Sequence, residues 1–352
     1  MAVHSQAPTR VDLAGGTLDI WPLYLFHENS QTLNVAIRCY ARCRLTPRRD
    51  KAIHLVSRDL GCAERFASFD ALTKAREFRL PLLARLVMAF AGSAAVPAAH
   101  RTGKDAGATS GFTLETDSDS PAGAGLGGSS ALNIAICGAL SRFTGKKLAP
   151  AKLIEIARNV EAQVLGVPTG EQDYYAAAFG GVQAVELTTH GVQPQKLAVD
   201  GKELAARGVL CYTGESRNSG INNWEVMKAH VDGKRAVIRL FDRIAAIAVE
   251  MREALKQSDW ERAARLLRRE WEARKKNHPG TTTPRIEGLV ALARRHGAQA
   301  AKVCGAGGGG CIFFLAEPEA KAKIEAALRQ AGARVMPFEV AARGLVVRER
   351  KP

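Results

Sequence analysis

Residues 121–141 read PAGAGLGGSSALNIAICGALS, and this stretch decides how the rest of the chain is interpreted. A glycine cluster is followed at once by Ser129 and Ser130, and then by an apolar run with helical spacing. Glycine lets backbone N–H groups approach an anion closely. A helix that begins after the cluster directs its free N–H groups and its dipole at that anion. The stretch therefore predicts a phosphate-binding loop at the start of a helix.

The same glycines permit other interpretations. Gly123, Gly125 and Gly128 match the GxGxxG fingerprint of dinucleotide-binding folds, but that fingerprint follows a strand directly. Here the nearest expected strand, residues 112–116, is separated from Gly123 by six residues. The cluster is not a Walker loop, since no lysine follows it. A flexible Gly/Ser turn before a core helix also fits the stretch when it is taken alone.

Length and composition limit the class of protein. The 352 residues suffice for two ordinary domains, and 46% hydrophobic with 24% charged residues is typical of a globular protein. No uninterrupted apolar stretch is long enough to span a bilayer, and the first residues do not resemble a signal peptide. The seven cysteines form no CxxC pair, and the eight histidines show no ligand spacing. We therefore expect a cytoplasmic protein without a structural metal or a membrane partner.

The formal net charge of +15 leaves the partner open at first. A nucleic acid, an acidic membrane surface or an anionic substrate would each suit a basic chain. However, many of the basic residues between positions 262 and 276 lie beside acidic residues on expected helices, and no RNA-binding aromatic signature or zinc finger is present. We therefore interpret the positive charge as a basic face exposed to solvent, and we expect no nucleic-acid partner.

The hydrophobic patterns predict a mixture of strands and helices. Residues 33–45 alternate as a half-buried strand, with Cys39 and Cys43 on the packed face, and residues 53–57 are expected to pair with it through a turn at 47–51. Residues 188–207 have no strong periodicity and mark a domain boundary, and residues 213–224 are expected to form a polar loop. Helical spacing occurs at 81–91, 150–164, 174–179, 237–255, 260–271, 284–295 and 318–329.

Three further stretches are candidates for a site. In residues 7–24, a strand beginning at Arg10 ends in glycines followed by Thr17 and Asp19, which suits a polar-ligand pocket or a turn capped by Asp19. In residues 166–182, Asp173 opens a short helix and could serve only as its N-cap. Residues 302–315, KVCGAGGGGCIFFL, place five glycines between two strands, which is too many for a slack hairpin to explain well.

The order and content of these four stretches resemble the GHMP kinase superfamily, named for galactokinase, homoserine kinase, mevalonate kinase and phosphomevalonate kinase. PAGAGLGGSSA resembles the second family motif, KVCGAGGGGCIFF the third, and APTRVDLAGGTLD the first motif of the sugar-kinase branch. GEQDYYAAAFGG and YTGESRNSG look most like the group of heptose 7-phosphate kinases and fucokinases. The resemblance implies a two-domain α+β fold, with a ribosomal-protein-like domain over residues 1–190 and a ferredoxin-like domain over residues 191–352.

The resemblance also implies roles for individual residues. Asp173 matches the catalytic aspartate, and Arg10 matches the basic residue that poises it. Ser129 and Glu161 match the magnesium ligands, although Ser130 could replace Ser129 and the spacing from Glu161 to Asp173 is one residue longer than expected. The residues expected to hold ATP are Pro121, Gly123, Gly125, Leu126, Gly127, Gly128, Ser129 and Ser130. Those expected to contact the substrate are Gly16, Thr17, Asp19, Gln172, Gly307 and Gly308.

Two departures from the family pattern affect specificity. Gly128 stands where the family often has Ser or Thr, and AGGTLDIWP lacks the Glu-His that precedes Thr-Asp in galactokinases, which argues against galactose. The resemblance therefore implies an ATP- and Mg²⁺-dependent kinase of a sugar or sugar phosphate, monomeric or homodimeric. The alternatives are a kinase of a non-sugar alcohol of the mevalonate type and a catalytically silent sugar- or ATP-binding regulator on the same fold.

Overall fold

The protein is described here from a computed structural model, which covers residues 1–91, 111–216 and 219–350. Residues 97–111 are rich in glycine and polar residues and are expected to form a loop, which lies outside the described residues except for Gly111. Two β-sheets organise the described chain, one of eight strands and one of four. Helices cover them and fill the space between them, and this arrangement places the site where the two halves meet.

The larger sheet has the strand order β12-β1-β2-β5-β3-β4, and β6 and β7 extend it beside the first half of β2. The long strand β2 pairs with β1 on one side and with β5 and then β6 on the other. The last strand, β12, returns to pair with β1. The strands are β1 (Ala2–Ala14), β2 (Gln31–Pro47), β3 (Ile53–Ser57), β4 (Cys62–Phe66), β5 (Phe112–Ser118), β6 (Val182–Thr188), β7 (Gly191–Lys196) and β12 (Val346–Arg350).

The expected pairing of β3 with β2 is wrong. β5 lies between them, with Leu45 of β2 opposite Leu114, and β3 runs parallel to β5 with Ile53 opposite Phe112. The segment between β2 and β3, where a tight turn was expected, instead pairs with Gly111. Arg48 N donates to Gly111 O at 2.8 Å, and Gly111 N donates to Asp50 O at 2.7 Å. Because β3 and β5 have the same alternation, the pattern of either strand fits the place beside β2.

Five α-helices belong to the described part of the half built around this sheet. α3 packs across β1 and β2, and α2, α4 and α5 pack around it. The apolar face of β2, including Cys43, and the inner face of α3, including Ile134, form one buried cluster, so the predicted packing role of Cys43 is confirmed. The helices are α1 (Phe69–Lys74), α2 (Pro81–Ala91), α3 (Gly128–Phe143), α4 (Pro150–Leu165) and α5 (Gln172–Phe179).

The smaller sheet is antiparallel, with the order β11-β8-β10-β9. Numbered within the sheet, this is the 4-1-3-2 order of a ferredoxin-like domain, as the family resemblance implied. Its elements are β8 (Gly208–Tyr212), β9 (Ala298–Val303), β10 (Cys311–Ala316), β11 (Arg334–Met336), α6 (Gly201–Arg207), α7 (Ser219–Val231), α8 (Arg235–Lys256), α9 (Trp260–Asn277), α10 (Pro284–Arg295) and α11 (Pro318–Gln330). α8 and α9 share a buried cluster with both sheets, whereas α10 and α11 pack on the outer side.

Two segments for which no helix or strand was predicted contain regular elements. Residues 188–207 contain β7, an exposed strand that pairs only with β6, and the seven-residue helix α6, which Asp200 caps through Lys202 N. Residues 213–224, expected to be a loop, already enter α7 at Ser219. These short or polar elements bury few side chains, so they lack the periodicity from which helices and strands are predicted. The boundary near residue 190 stays a prediction.

No helix in the described parts of the chain combines the length and the apolar character needed to cross a bilayer.

Candidate active site

A cavity of about 690 Å³ lies where the two halves of the protein meet. Its walls come from the turn after β1, the loop before α3, the start of α5 and the loop between β9 and β10. Every predicted stretch of the site reaches it. Of the predicted ATP- and substrate-binding residues, however, Leu126, Gly16, Gly307 and Gly308 do not line the cavity.

The glycine loop leads directly into α3. Gly127 is the N-cap of the helix and has the left-handed backbone conformation, φ +69°, which glycine adopts without strain. Two contacts tie the loop to β1: Arg10 N donates to Leu126 O at 2.9 Å, and Arg10 Nη1 donates to Gly125 O at 2.5 Å. The loop is therefore an anchored turn at a helix N-terminus, where the free N–H groups and the dipole favour an anion.

Arg10 and Asp173 form an ion pair at the cavity. Both Nε and Nη2 of Arg10 contact Oδ1 of Asp173, at 2.7 and 2.6 Å. Burial by itself lowers the pKa of Arg10, but the charges of Asp173 and Asp12 outweigh burial and raise that pKa, so the guanidinium stays charged. The N-cap position of α5 belongs to Glu171, so Asp173 is not simply a helix cap.

Gly127 lies directly against Asp173. A Cβ atom on Gly127 would be 3.0 Å from Cγ and Oδ2 of Asp173, which is closer than ordinary van der Waals contact. A Cβ on Gly128 would meet only the side chain of Ser120, at 3.4 Å. Because Gly127 has no side chain, the glycine loop can approach the carboxylate of Asp173 closely, whereas a Cβ at Gly128 would have room.

The carboxylate of Glu161 accepts hydrogen bonds from four side chains near the glycine loop. Ser129 Oγ donates to Oε1 at 2.5 Å, and Oε2 accepts from Ser130 Oγ (3.0 Å), Asn133 Nδ2 (2.8 Å) and Tyr174 OH (2.7 Å). Burial raises the pKa of Glu161, and the hydrogen bonds from Ser129 and Tyr174 oppose that rise. Asn133 and Tyr174 were not predicted; the signal for Asn133 was a polar residue inside an apolar helical run.

The donor set around Glu161 fits a magnesium ion. Ser129 and Glu161 supply a hydroxyl and a carboxylate oxygen beside the glycine loop, and Mg²⁺ prefers such hard oxygen ligands. Among the described residues, no group of three or more His, Cys, Asp or Glu side chains could hold a metal ion by itself. An ion here would therefore depend on phosphate oxygens and water as well, which is usual for Mg²⁺ bound with a nucleotide.

Asp19 lies across the cavity from the glycine loop. It is 3% exposed, and its Oδ2 accepts a hydrogen bond from Gln172 N at 3.0 Å. Burial, reinforced by the charge of Asp173, raises the pKa of Asp19 to about 6. Next to it, Thr17 has a φ of +89°, a strained conformation for a β-branched residue of the kind that occurs at functional sites. A buried carboxyl and hydroxyl at the cavity wall can orient a polyhydroxylated ligand.

The glycines of the loop between β9 and β10 divide into two groups. Gly305 faces the cavity, whereas Gly308 N donates to Thr281 O at 2.7 Å, and a Cβ on Gly307 would be 2.4 Å from the same oxygen. Cys311 N donates to Ala124 O at 2.8 Å, which joins this loop to the glycine loop before α3. The predicted substrate contacts of Gly307 and Gly308 stay predictions, and Gly305 has the better position.

A buried charge cluster supports the floor of the cavity, and sequence reasoning missed it. Asp12 is fully buried; it bonds to Lys302, lies 3.3 Å from Arg274 Nη1 and accepts from Gly305 N at 2.9 Å. Burial raises the pKa of Asp12, but Lys302 and Arg10 outweigh it and hold that pKa at about 2. Lys302 also lies 3.3 Å from Glu270 Oε1. The available signal was Lys302, which is the one charged residue of β9.

Comparison with known proteins defines the class. Residues 91–181 match the GHMP kinases N terminal domain and residues 251–334 the GHMP kinases C terminal domain. D-glycero-alpha-D-manno-heptose 7-phosphate kinase of Campylobacter jejuni is 30% identical over 97% of this chain and 98% of its own length. The chain therefore belongs to the GHMP kinases, and it is a kinase with the two-domain GHMP fold.

Solved structures agree with this assignment. A D-glycero-D-manno-heptose 1-phosphate kinase from Bacteroides thetaiotaomicron superposes with a TM-score of 0.78 at 26% identity, covering 99% of this chain and 100% of that one. Galactokinase of Lactococcus lactis, in complex with galactose, superposes with a TM-score of 0.75 at 18% identity, covering 98% of this chain and 95% of that one. The second likeness establishes the shared fold alone.

Proposed function

We propose that the protein is an ATP- and Mg²⁺-dependent kinase that transfers the γ-phosphoryl group of ATP to a hydroxyl of a sugar phosphate, most narrowly a heptose phosphate. The observation that carries this proposal is the Arg10–Asp173 pair, which lies against the loop at the N-terminus of α3. The likeness to two heptose phosphate kinases over nearly the whole chain supports the substrate class.

The proposed reaction uses the cavity residues as follows. The loop from Pro121 to Ser130 holds the phosphates of ATP through backbone N–H groups. The sugar hydroxyl oxygen attacks the γ-phosphorus, the bond from that phosphorus to the bridging oxygen of ADP breaks, and the hydroxyl proton passes to Oδ2 of Asp173. Arg10 holds Asp173 through Oδ1 and offsets negative charge on the transferring group.

The remaining residues bind and orient. Ser129 and Glu161 would hold the Mg²⁺ ion, which neutralises charge on the phosphate oxygens when it is bound. Asp19 would accept hydrogen bonds from other hydroxyls of the sugar, with Thr17 and Gln172 beside it. Arg274, which lines the cavity and is fixed by Asp12 and Gly305 O, adds a second positive charge next to Arg10. Two buried guanidinium groups suit a substrate that already carries a phosphate.

A non-sugar alcohol of the mevalonate type is the second candidate substrate. Asp19 favours the sugar, because its buried carboxyl can accept hydrogen bonds from several hydroxyls, and a mevalonate-type acid offers fewer hydroxyls than a heptose. A silent sugar- or ATP-binding regulator would not need the Arg10–Asp173 pair. A cytoplasmic location and a monomeric or homodimeric state stay predictions.

The test is ATP consumption by the pure protein against a panel of acceptors. The panel holds heptose 7-phosphate, heptose 1-phosphate, free heptose, galactose, fucose, mevalonate and homoserine. We expect ADP release that depends on a heptose phosphate and on Mg²⁺. Turnover on mevalonate or homoserine alone would replace the proposed substrate class, and bound ATP without turnover on any acceptor would favour the silent regulator.

A further inference from the structure

A second pocket lies on the face of the large sheet opposite α3, and it shares no lining residue with the cavity already described. Its volume is about 390 Å³, within the range of sites for small ligands. Its lining comes from β1, β2, β5, β12 and Arg58, and no described helix contributes to it. We call it the sheet pocket.

The sheet pocket is strongly cationic because of its strand register. His4 of β1 lies directly opposite Arg348 of β12 on one side and Arg44 of β2 on the other. Arg350 lies two residues beyond Arg348 on the same face of β12, since side chains alternate along a strand. Arg42 and Arg58 complete a lining with five arginines and only two carboxylates, Glu115 and Asp117.

The existing ion pairs leave three of these arginines unpaired. Arg42 forms a bidentate pair with Asp119, at 2.6 and 2.8 Å, and Arg58 pairs with Glu115 at 2.7 Å. Among the described residues, Arg44, Arg348 and Arg350 have no carboxylate within ion-pair distance. The pocket therefore presents several guanidinium groups, each with a free fork of N–H donors.

Arg44, Arg348 and Arg350 repel one another when no anion is present, although their exposure to solvent and the position of Glu115 opposite Arg44 weaken that repulsion. Positive charges directly opposite one another on neighbouring strands repel. Burial lowers the pKa of His4, and the charges of Arg44 and Arg350 lower it further. An anion in the pocket would relieve this repulsion and would favour protonation of His4.

From these contacts we propose that the sheet pocket binds a small ligand with two or more phosphate groups, separately from the kinase cavity. Guanidinium forks match phosphate oxygens in bidentate geometry. Arg44 and Arg348 flank β1, so their Cα atoms lie about 10 Å apart, which suits a ligand with more than one anionic group. Nucleic acid is the less favoured occupant, because the described lining includes no Trp, Tyr or Phe on which bases could stack. The proposal does not depend on the substrate assigned to the kinase cavity.

The test uses inorganic tripolyphosphate as the probe and the C2 proton of His4 as a local reporter in NMR, assigned with a His4→Gln variant. The wild-type protein is compared with Arg44→Gln/Arg348→Gln. The charge-matched control is Arg294→Gln/Arg295→Gln, which removes two exposed arginines from the end of α10. Circular dichroism checks that each variant is folded, and the single variant Arg350→Gln provides a second test if the double variant is not.

We expect tripolyphosphate to raise the pKa of His4 in the wild-type and control proteins. In Arg44→Gln/Arg348→Gln we expect binding to the pocket to weaken about tenfold or more, since the charge-assisted hydrogen bonds of two guanidinium groups are lost. Binding elsewhere, such as in the glycine loop, would not move the His4 signal. An unmoved His4 signal in the wild-type protein overturns the proposal, as does a single-stranded oligonucleotide that binds in the pocket while tripolyphosphate does not.

Discussion

Oδ1 of Asp173 lies 2.7 Å from Nε and 2.6 Å from Nη2 of Arg10, although the two residues are 163 positions apart in the chain. Among the described residues, Oδ2 of the same carboxylate accepts no hydrogen bond, and the side chain of Asp173 is 22% exposed. One oxygen is therefore fixed and the other is available to the cavity. This division of roles is what a base that receives a substrate proton needs.

Asp173→Asn should preserve ATP binding and lower kcat about 100- to 10,000-fold, because the amide accepts no proton but keeps the shape of the side chain. Turnover and equilibrium nucleotide binding are measured on the same preparation. Asp70→Asn, at an exposed position on α1, is the control and should retain full activity. Near-normal turnover by Asp173→Asn would rule out the assignment of the base.

Gly127→Ala should lower kcat by about tenfold or more, because the new methyl group displaces the Asp173 carboxylate. Gly145→Ala is a matched control: Gly145 has the same φ of +69°, but a Cβ there would have no neighbour within 4 Å. Both variants should lose about 1–2 kcal/mol of unfolding free energy from backbone strain. If both retain full kcat, the close approach of the loop to Asp173 has no catalytic role.

Asp19→Asn should change how stability depends on pH. The folded-state pKa of Asp19 is about 6 and its ordinary value is 3.8, so the folded protein favours the protonated form. The resulting stabilisation is complete below pH 3.8 and is lost as the pH rises through 6. Relative to Asp19→Asn, the free energy of unfolding of the wild-type protein should therefore fall by about 3 kcal/mol as the pH rises from below 3.8 to above 6. Urea unfolding at a series of pH values measures this difference, with Asp70→Asn as the control; a constant difference would contradict the prediction.

Ser129→Ala should raise the Mg²⁺ concentration needed for half-maximal activity, because the hydroxyl beside Glu161 is removed. Ser130→Ala is the matched variant, since Ser130 donates to the other oxygen of the same carboxylate. A titration of activity against Mg²⁺ separates the two serines. A larger effect at Ser130 would exchange their roles, and no effect at either would place the ion elsewhere.

Much of the fold was predictable from local pattern. α2 and α10 have the predicted bounds, Pro81–Ala91 and Pro284–Arg295, because each begins with proline and carries a regular apolar face. The place of β5 between β2 and β3 was not predictable, because the alternation of a strand identifies its buried face and not its neighbour. The polar helix α7 escaped prediction because it has little apolar periodicity.

The site was predictable where its chemistry is concentrated in short motifs. Arg10, Asp19, the glycine loop and Asp173 all reach one cavity, as the motifs suggested. The cluster of Asp12 with Lys302 and Arg274 was not predicted, because Arg274 and Lys302 lie 262 and 290 residues from Asp12 and each resembles an ordinary charged residue in its own stretch. These residues matter because they are buried together, and their burial results from tertiary packing, which local sequence patterns do not reveal.

The pairing of Asp12 with Lys302 has a consequence for the order in which the protein folds during its synthesis. Arg10, the cation beside Asp12 in the chain, is shared with Asp173, and Lys302, which contacts Asp12 most closely, follows 290 residues later. A buried carboxylate without its cation is strongly destabilised, so the floor of the cavity cannot close around β1 until β9 has left the ribosome and packed. The glycine loop and α3 can fold early, because their sequence is complete long before β9 is synthesised. A fragment that ends before β9 would contain Arg10, the glycine loop and Asp173 but would lack Lys302, the cation in closest contact with Asp12.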